Sequence, residues 1–209
     1  MSLRKTFATP LVGVLLLLTL VTCGGCAGAK RFMYEGFDRD EWQQPERVVA
    51  TLALAPGDRV ADVGAGGGYF TLPLAEAVGE TGRVIAVDIE ADMVEYVLGR
   101  AKKRGLTQVE GIVASETDTG LLPGSVDLIF VSNTFHHLPD PSSYFARIRR
   151  ALRPKGRVAI IEVSSGSFPK GHDTSPELIH EQMQVAGFRL AERHEFLERQ
   201  SFQIFVPRD

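Results

Sequence analysis

Apolar and polar positions alternate along this chain in blocks, and the blocks change period. From Glu46 to Ala55 the apolar residues Val48, Val49 and Leu52 fall at helical spacing, and Pro56-Gly57 ends the run. Short, almost wholly apolar segments then alternate with amphipathic ones. Strands are expected over Arg59–Val63, Arg83–Val87, Val109–Val113, Val126–Ser132 and Arg157–Val163. Helices are expected over Tyr69–Val78, Ala91–Arg104, Pro141–Leu152 and Ser175–Ala186. Gly105 and Gly187 stop two of them, and Pro154 with Gly156 stops a third. Two further strand-like runs, Phe188–Phe196 and Ser201–Val206, close the sequence.

Strands this apolar are buried on both faces, which requires a parallel sheet with helices on each side. The link Leu197 to Gln200 is too short for a parallel crossover, so the last two strands should pair antiparallel. The expected fold is α/β: a doubly wound, seven-stranded, mostly parallel sheet with an antiparallel last strand. This domain should span residues 46–209, after a polar and aromatic lead-in over residues 30–45 that packs over it.

The first 29 residues follow a different rule. Arg4 and Lys5 precede the apolar run Leu11 to Val21, and no charge appears again until Lys30. A basic start, a short apolar centre and small residues after it make an export signal or a membrane anchor. "TLVTCGGCAG" resembles a bacterial lipoprotein signal, in which Cys23 or Cys26 would carry the lipid. That places the domain at the cell envelope, tethered or exported, with membrane contact through this segment alone and a cytoplasm-facing anchor as the other arrangement. Both cysteines lie here, so neither a disulfide framework nor a zinc-cysteine cluster is available to the body. A net charge of -3 gives no basic footprint for nucleic acid.

The chemistry concentrates at strand ends. "ADVGAGGGYF" holds four glycines among its ten residues, directly after the first strand. In an open parallel sheet that is where a ligand's polar end sits, against bare backbone and the start of a helix. Asp88, closing the second strand in "RVIAVD", suits the two hydroxyls of a ribose. Asp62, two residues before the loop, suits an ammonium group, which dinucleotides lack. A nicotinamide dinucleotide also meets Tyr69 where its fingerprint requires a third glycine.

"VADVGAGGGYF", "VIAVDIE", "VDLIFVSNTFHHL" and "ALRPKGRVAIIE" together resemble the successive motifs of class I S-adenosylmethionine-dependent methyltransferases, over roughly Val48 to Val206. The resemblance implies S-adenosylmethionine as cofactor. Gly64, Ala65, Gly66 and Gly68 would line its amino-acid end, with Asp62 in support, Asp88 on the ribose and Ile89 beside the adenine. Many relatives place an Asp against the adenine amine after the third strand; here Ser115 or Glu116 would stand in, and Glu116 is preferred as the better acceptor.

The fourth strand runs into "SNTFHHLPD", whose end faces the sulfonium in that architecture. Asn133, His136 and His137 are the polar groups there, and a histidine can take a proton from an attacking nucleophile. His172 and His180 lie at no spacing that supports a metal, so none is expected. The insert Ser164 to Ser175 is placed to carry specificity. Trp42 and Tyr34 are either a lid or core aromatics. The expected function is methyl transfer to a small molecule. A degenerate, tethered cofactor-binding protein of the same fold is the alternative. Oligomeric state and the acceptor are not readable from the sequence.

Overall fold

The computed structural model describes residues 39–164 and 173–208. The leader with Cys23 and Cys26, Tyr34, and His172 with most of the glycine-rich insert lie outside the described residues. Two short helices come first, α1 (Arg39–Gln43) and α2 (Pro45–Thr51). Pro45 sits in the first turn of α2, where its missing N–H costs nothing. The helix stops before the expected Ala55 because Ala53 turns left-handed at φ 47°.

The sheet follows. It comprises β1 (Arg59–Val63), β2 (Arg83–Asp88), β3 (Val109–Val113), β4 (Val126–Ser132), β5 (Leu152–Val163), β6 (Phe188–His194) and β7 (Gln200–Pro207). Among the described residues these form one sheet in the order β3-β2-β1-β4-β5-β7-β6. The chain moves outward from β1 to β3, then returns to the other side of β1 as β4. That reversal opens a crevice at the carboxyl ends of β1 and β4, which pair in parallel from Val60↔Leu128 to Val63↔Val131. β7 is antiparallel to β6, as the short link before it requires, and also to β5.

Side-chain alternation along the strands builds a core on each face. On one face Val60, Val84, Leu128, Phe130 and Ile161 pack under α2, α3 (Thr71–Val78) and α4 (Ala91–Lys103). On the other, Ala61, Ile85, Ile129, Val158 and Ile160 pack under α5 (Pro141–Ile148) and α6 (Pro176–Val185). Fully burying one such aliphatic side chain contributes roughly 1.5–3 kcal/mol, so both layers hold the crevice walls rigidly.

The approach to β5 also differs from expectation. The helix expected to reach Leu152 ends at Ile148, and a 3-10 turn (Arg149–Ala151) leads directly into β5. Gly124 and Ser125 donate their N–H groups to the carbonyls of Arg150 and Ala151, at 2.9 Å each, and so draw the chain to β4 early. Pro154 and Gly156 do not delay the strand but form an irregularity within it. The pairing jumps from Val126↔Leu152 to Leu128↔Arg157, with Lys155 at φ 68°.

Candidate functional site

The turn after β1 is tied to its neighbour at once. Gly64 and Ala65 both donate to the carbonyl of Val87, at 2.8 and 3.2 Å. Gly64 adopts φ 75°, and a Cβ there would lie 2.1 Å from Thr134 Oγ1. No other residue fits, because the loop after β4 rests directly on the loop after β1. Gly68 is required for a different reason, since its missing side chain makes room for Val97 of α4. Gly64 and Gly68 thus answer to the protein's own packing, and Gly66 is the glycine that meets the acid.

Asp88 turns toward this loop. Its Oδ2 accepts from the Gly66 N–H at 2.8 Å and its Oδ1 from the Glu90 N–H at 3.0 Å. Each carboxylate oxygen keeps a lone pair for a further donor. Asp62 lies on the same face of the sheet, where the Thr71 hydroxyl donates to its Oδ2 at 2.6 Å. It is 3 % exposed. Burial pushes its carboxyl up to about 7, the Asp88 charge adds to the rise, and the Thr71 bond and the Arg39 guanidinium oppose it.

Arg39 and Asp40 come from α1, which reaches over Tyr69. The Arg39 guanidinium stands 3.9 Å from the Tyr69 ring centroid, and the Tyr69 hydroxyl donates to Asp40 Oδ1 at 2.6 Å. Trp42 is half-buried on the same short helix. Arg39, Asp40 and Thr71 were not legible as site residues, because nothing in their local pattern pointed at Asp62.

Ile89 is 57 % exposed beside Asp88, open to an apolar group. The Ala114 N–H donates to the Asp88 carbonyl at 2.8 Å, which brings the end of β3 alongside. There the Ser115 hydroxyl accepts from the Asp118 N–H at 3.0 Å and closes a local turn. Glu116, in that turn, is exposed.

At the end of β4, Asn133 adopts φ 51°. Its N–H donates to the Ile161 carbonyl, and its Oδ1 accepts from Gln200 Nε2, both at 2.8 Å. Its amide oxygen therefore braces β4 against β7. The 3-10 turn Phe135–His137 comes next. His136 Nδ1 lies 2.9 Å from Glu162 Oε1, with the two side chains 8 % and 0 % exposed. His137 is exposed, and its ring centroid is 4.0 Å from that of His136. Glu162 was missed in the sequence, although an acid ending the apolar run "VAII" at a carboxyl edge is the signal that would have found it. His180 lies on α6, bonded to Gln184 at 2.9 Å. No group of three metal-ligating side chains occurs among the described residues.

Two carboxylates beside a bare-backbone turn suit a ligand that presents an ammonium, a sulfonium and ribose hydroxyls. Asp62 does not suit a pyrophosphate, which its ionised form would repel. The residues fit S-adenosylmethionine.

This chain is similar to known methyltransferases. Residues 54–200 match a family described as a methyltransferase domain. The nocamycin O-methyltransferase of Saccharothrix syringae is 36 % identical over 114 residues, 54 % of this chain and 41 % of that protein. The aklanonic acid methyltransferase of Streptomyces sp. (strain C5) is 35 % identical over 125 residues, 59 % of this chain and 57 % of that protein. The chain thus spans about half the length of these curated relatives. A crystal structure of an S-adenosylmethionine-dependent methyltransferase from Aquifex aeolicus superposes with a TM-score of 0.78 at 29 % identity, covering 85 % of this chain and 98 % of that one.

Proposed function

Since the chain belongs to the class I S-adenosylmethionine-dependent methyltransferases, we propose that it transfers the methyl group of S-adenosylmethionine to a small-molecule acceptor. The observation that carries this reading is the pairing of Asp62 and Asp88 around one glycine turn. The cofactor supplies a methyl group made electrophilic by its positively charged sulfur.

The chain's own residues supply the rest. Asp62, in its ionised form, accepts from the cofactor's ammonium group. Asp88 accepts from the ribose hydroxyls while its backbone bonds keep the glycine turn in place. Gly64, Ala65, Gly66 and Gly68 bring backbone within reach of the amino-acid end. Ile89 covers an adenine face, and the exposed Glu116 accepts from the adenine amine. Asn133 braces the end of β4, and His136, with His137 beside it, meets the acceptor and takes its proton. Methyl transfer otherwise needs alignment and exclusion of water more than further chemistry. The relatives whose names specify nocamycin and aklanonic acid support a small-molecule acceptor.

Titration calorimetry tests the reading. S-adenosylmethionine should bind with a dissociation constant in the micromolar range, and NAD should not compete. No heat of binding at millimolar S-adenosylmethionine would defeat it. Tethering through the leader is part of the same proposal, and a lipid mass on Cys23 or Cys26 in the mature chain would support it. No helix among the described residues is long and apolar enough to cross a membrane.

A further inference from the structure

A fully buried carboxylate is costly unless hydrogen bonds hold it. Glu162 lies in the last turnings of β5, and its side chain is 0 % exposed. Its Oε1 accepts from its neighbour's N–H on Val163 at 3.0 Å and faces His136 Nδ1 at 2.9 Å. Its Oε2 accepts from the His136 backbone N–H at 3.4 Å. Ser201 of β7 stands opposite Glu162 in the antiparallel register. One acid thus grips both the backbone and the ring of a single histidine, across 26 residues of sequence. That arrangement fixes where the 3-10 turn sits and how the imidazole is rotated.

We propose that Glu162 is a positioning residue that holds His136 in the tautomer with its proton on Nδ1 and its lone pair on Nε2. This deepens the functional reading above and rests on it. A carboxylate accepts only, so the ring nitrogen facing it must donate. In a neutral imidazole the other nitrogen is then the base. The acceptor class follows from this. It carries a proton that His136 can remove, as a phenol, an enol or another acidic hydroxyl does. In the step, the acceptor's O–H bond breaks, its electron pair stays on oxygen, and the proton goes to Nε2. The Glu162 charge offsets the positive imidazolium that results, until the proton passes to solvent. A thioether or tertiary amine acceptor has no proton to give and would leave this pair without a task. Among the described residues, Glu162 from β5 and His137 from its own turn are titratable groups that face His136.

Two-bond 1H–15N NMR of the histidine rings in the full chain reads the tautomer directly, with exposed His137 as internal reference. The expected result is a protonated Nδ1 and a bare Nε2 on neutral His136. The opposite tautomer in the unaltered protein would overturn the proposal without any variant. Glu162→Gln puts an amide that can donate as well as accept against the ring, so the Nδ1-protonated form should lose its dominance. Glu162→Asp, again an acceptor only, should restore it. A tautomer unmoved in Glu162→Gln would overturn the proposal. Calorimetry with S-adenosylmethionine on the same samples separates the two claims. Unchanged cofactor affinity in Glu162→Gln supports a role confined to His136, and a tenfold loss would assign Glu162 to the cofactor instead. Failure of the unaltered protein to bind would defeat the functional reading and leave the tautomer result standing.

Discussion

The carboxyl ends of β1 and β2 and those of β4 and β5 form two halves of one crevice, and they are built differently. The first half is local and made of backbone. Gly64, Gly66, Asp88 and Glu90 bond within a span of 27 residues, and the bonds are largely main-chain N–H to carbonyl or carboxylate. The second half is made of side chains that meet from afar: His136 with Glu162, and Asn133 with Gln200 across 67 residues. A backbone-built half tolerates few substitutions but binds a constant ligand. A side-chain-built half can be rewritten position by position, which is what a variable acceptor needs.

The two halves touch at Gly64 and Thr134, and the largest expected effect lies there. Gly64→Ala places a Cβ 2.1 Å from Thr134 Oγ1 and forces alanine to φ 75°. Backbone strain of about 1–2 kcal/mol and overpacking of about 1–3 kcal/mol add, so a loss of roughly 3 kcal/mol in unfolding free energy is expected. Gly105→Ala is the control, because its φ is 71° but nothing lies within 4 Å of the added atom. It should lose only the backbone share, roughly 1–2 kcal/mol. Adding Thr134→Ala to Gly64→Ala removes the two nearest atoms and should recover part of the difference. Urea midpoints measure all three. Equal losses in Gly64→Ala and Gly105→Ala would show that the two loops do not press together, and the comparison would lose its hinge.

Legibility in the sequence follows the same division. The strands β1, β3 and β4 begin and end where the apolar runs do, because each is a short buried segment between turn signals. The glycine turn and Asp88 were legible because their partners lie within one βαβ unit. Asp62 was legible as an acid in a buried strand, but Thr71 beside it was not, since its hydroxyl is one of many that begin helices. Glu162 was illegible as a partner of His136 because only the pairing of β4 with β5 sets them together. The start of β5 was misread because Pro154 and Gly156 are strong stop signals. The bonds from Gly124 and Ser125 that override them are long-range.

The charge on Asp62 sharpens the contrast at intermediate magnitude. Its ordinary value of 3.8 applies to the unfolded chain, and burial lifts it to about 7 in the folded one. Between those values the folded protein keeps a proton that the unfolded chain has lost, so stability falls as pH rises across the window and levels off above it. The fall attributable to this group is on the order of a few kcal/mol. Asp62→Asn should flatten that window in pH-dependent urea unfolding. S-adenosylmethionine should move the Asp62 titration below 7, because a bound ammonium favours the ionised form. An unchanged slope in Asp62→Asn would mean that the cofactor half carries no buried charge, and the two halves would differ in sequence span alone.

The smallest effect concerns the cover over the cofactor half. Tyr69 stands where a dinucleotide fingerprint would have its third glycine, and its hydroxyl donates to Asp40 at 2.6 Å. Burial and the bond to Asp40 both raise the Tyr69 hydroxyl above its ordinary value, so it remains a donor throughout the physiological range. The bond joins a loop to a five-residue helix at an exposed position, where competition with water leaves it about 1 kcal/mol or less. Tyr69→Phe keeps the ring under the Arg39 guanidinium and removes only that bond. Global stability should therefore stay within about 1 kcal/mol of the unaltered protein. Amide hydrogen exchange in α1 should quicken several-fold, while exchange in α5 and at Glu162 stays unchanged. The 3-10 turn of His136 is held by β5, and α1 plays no part in its bonds to Glu162. Quickened exchange in both places would mean that the cover and the acceptor half move as one unit. The distinction between a fixed cofactor half and a separately tunable acceptor half would then fail.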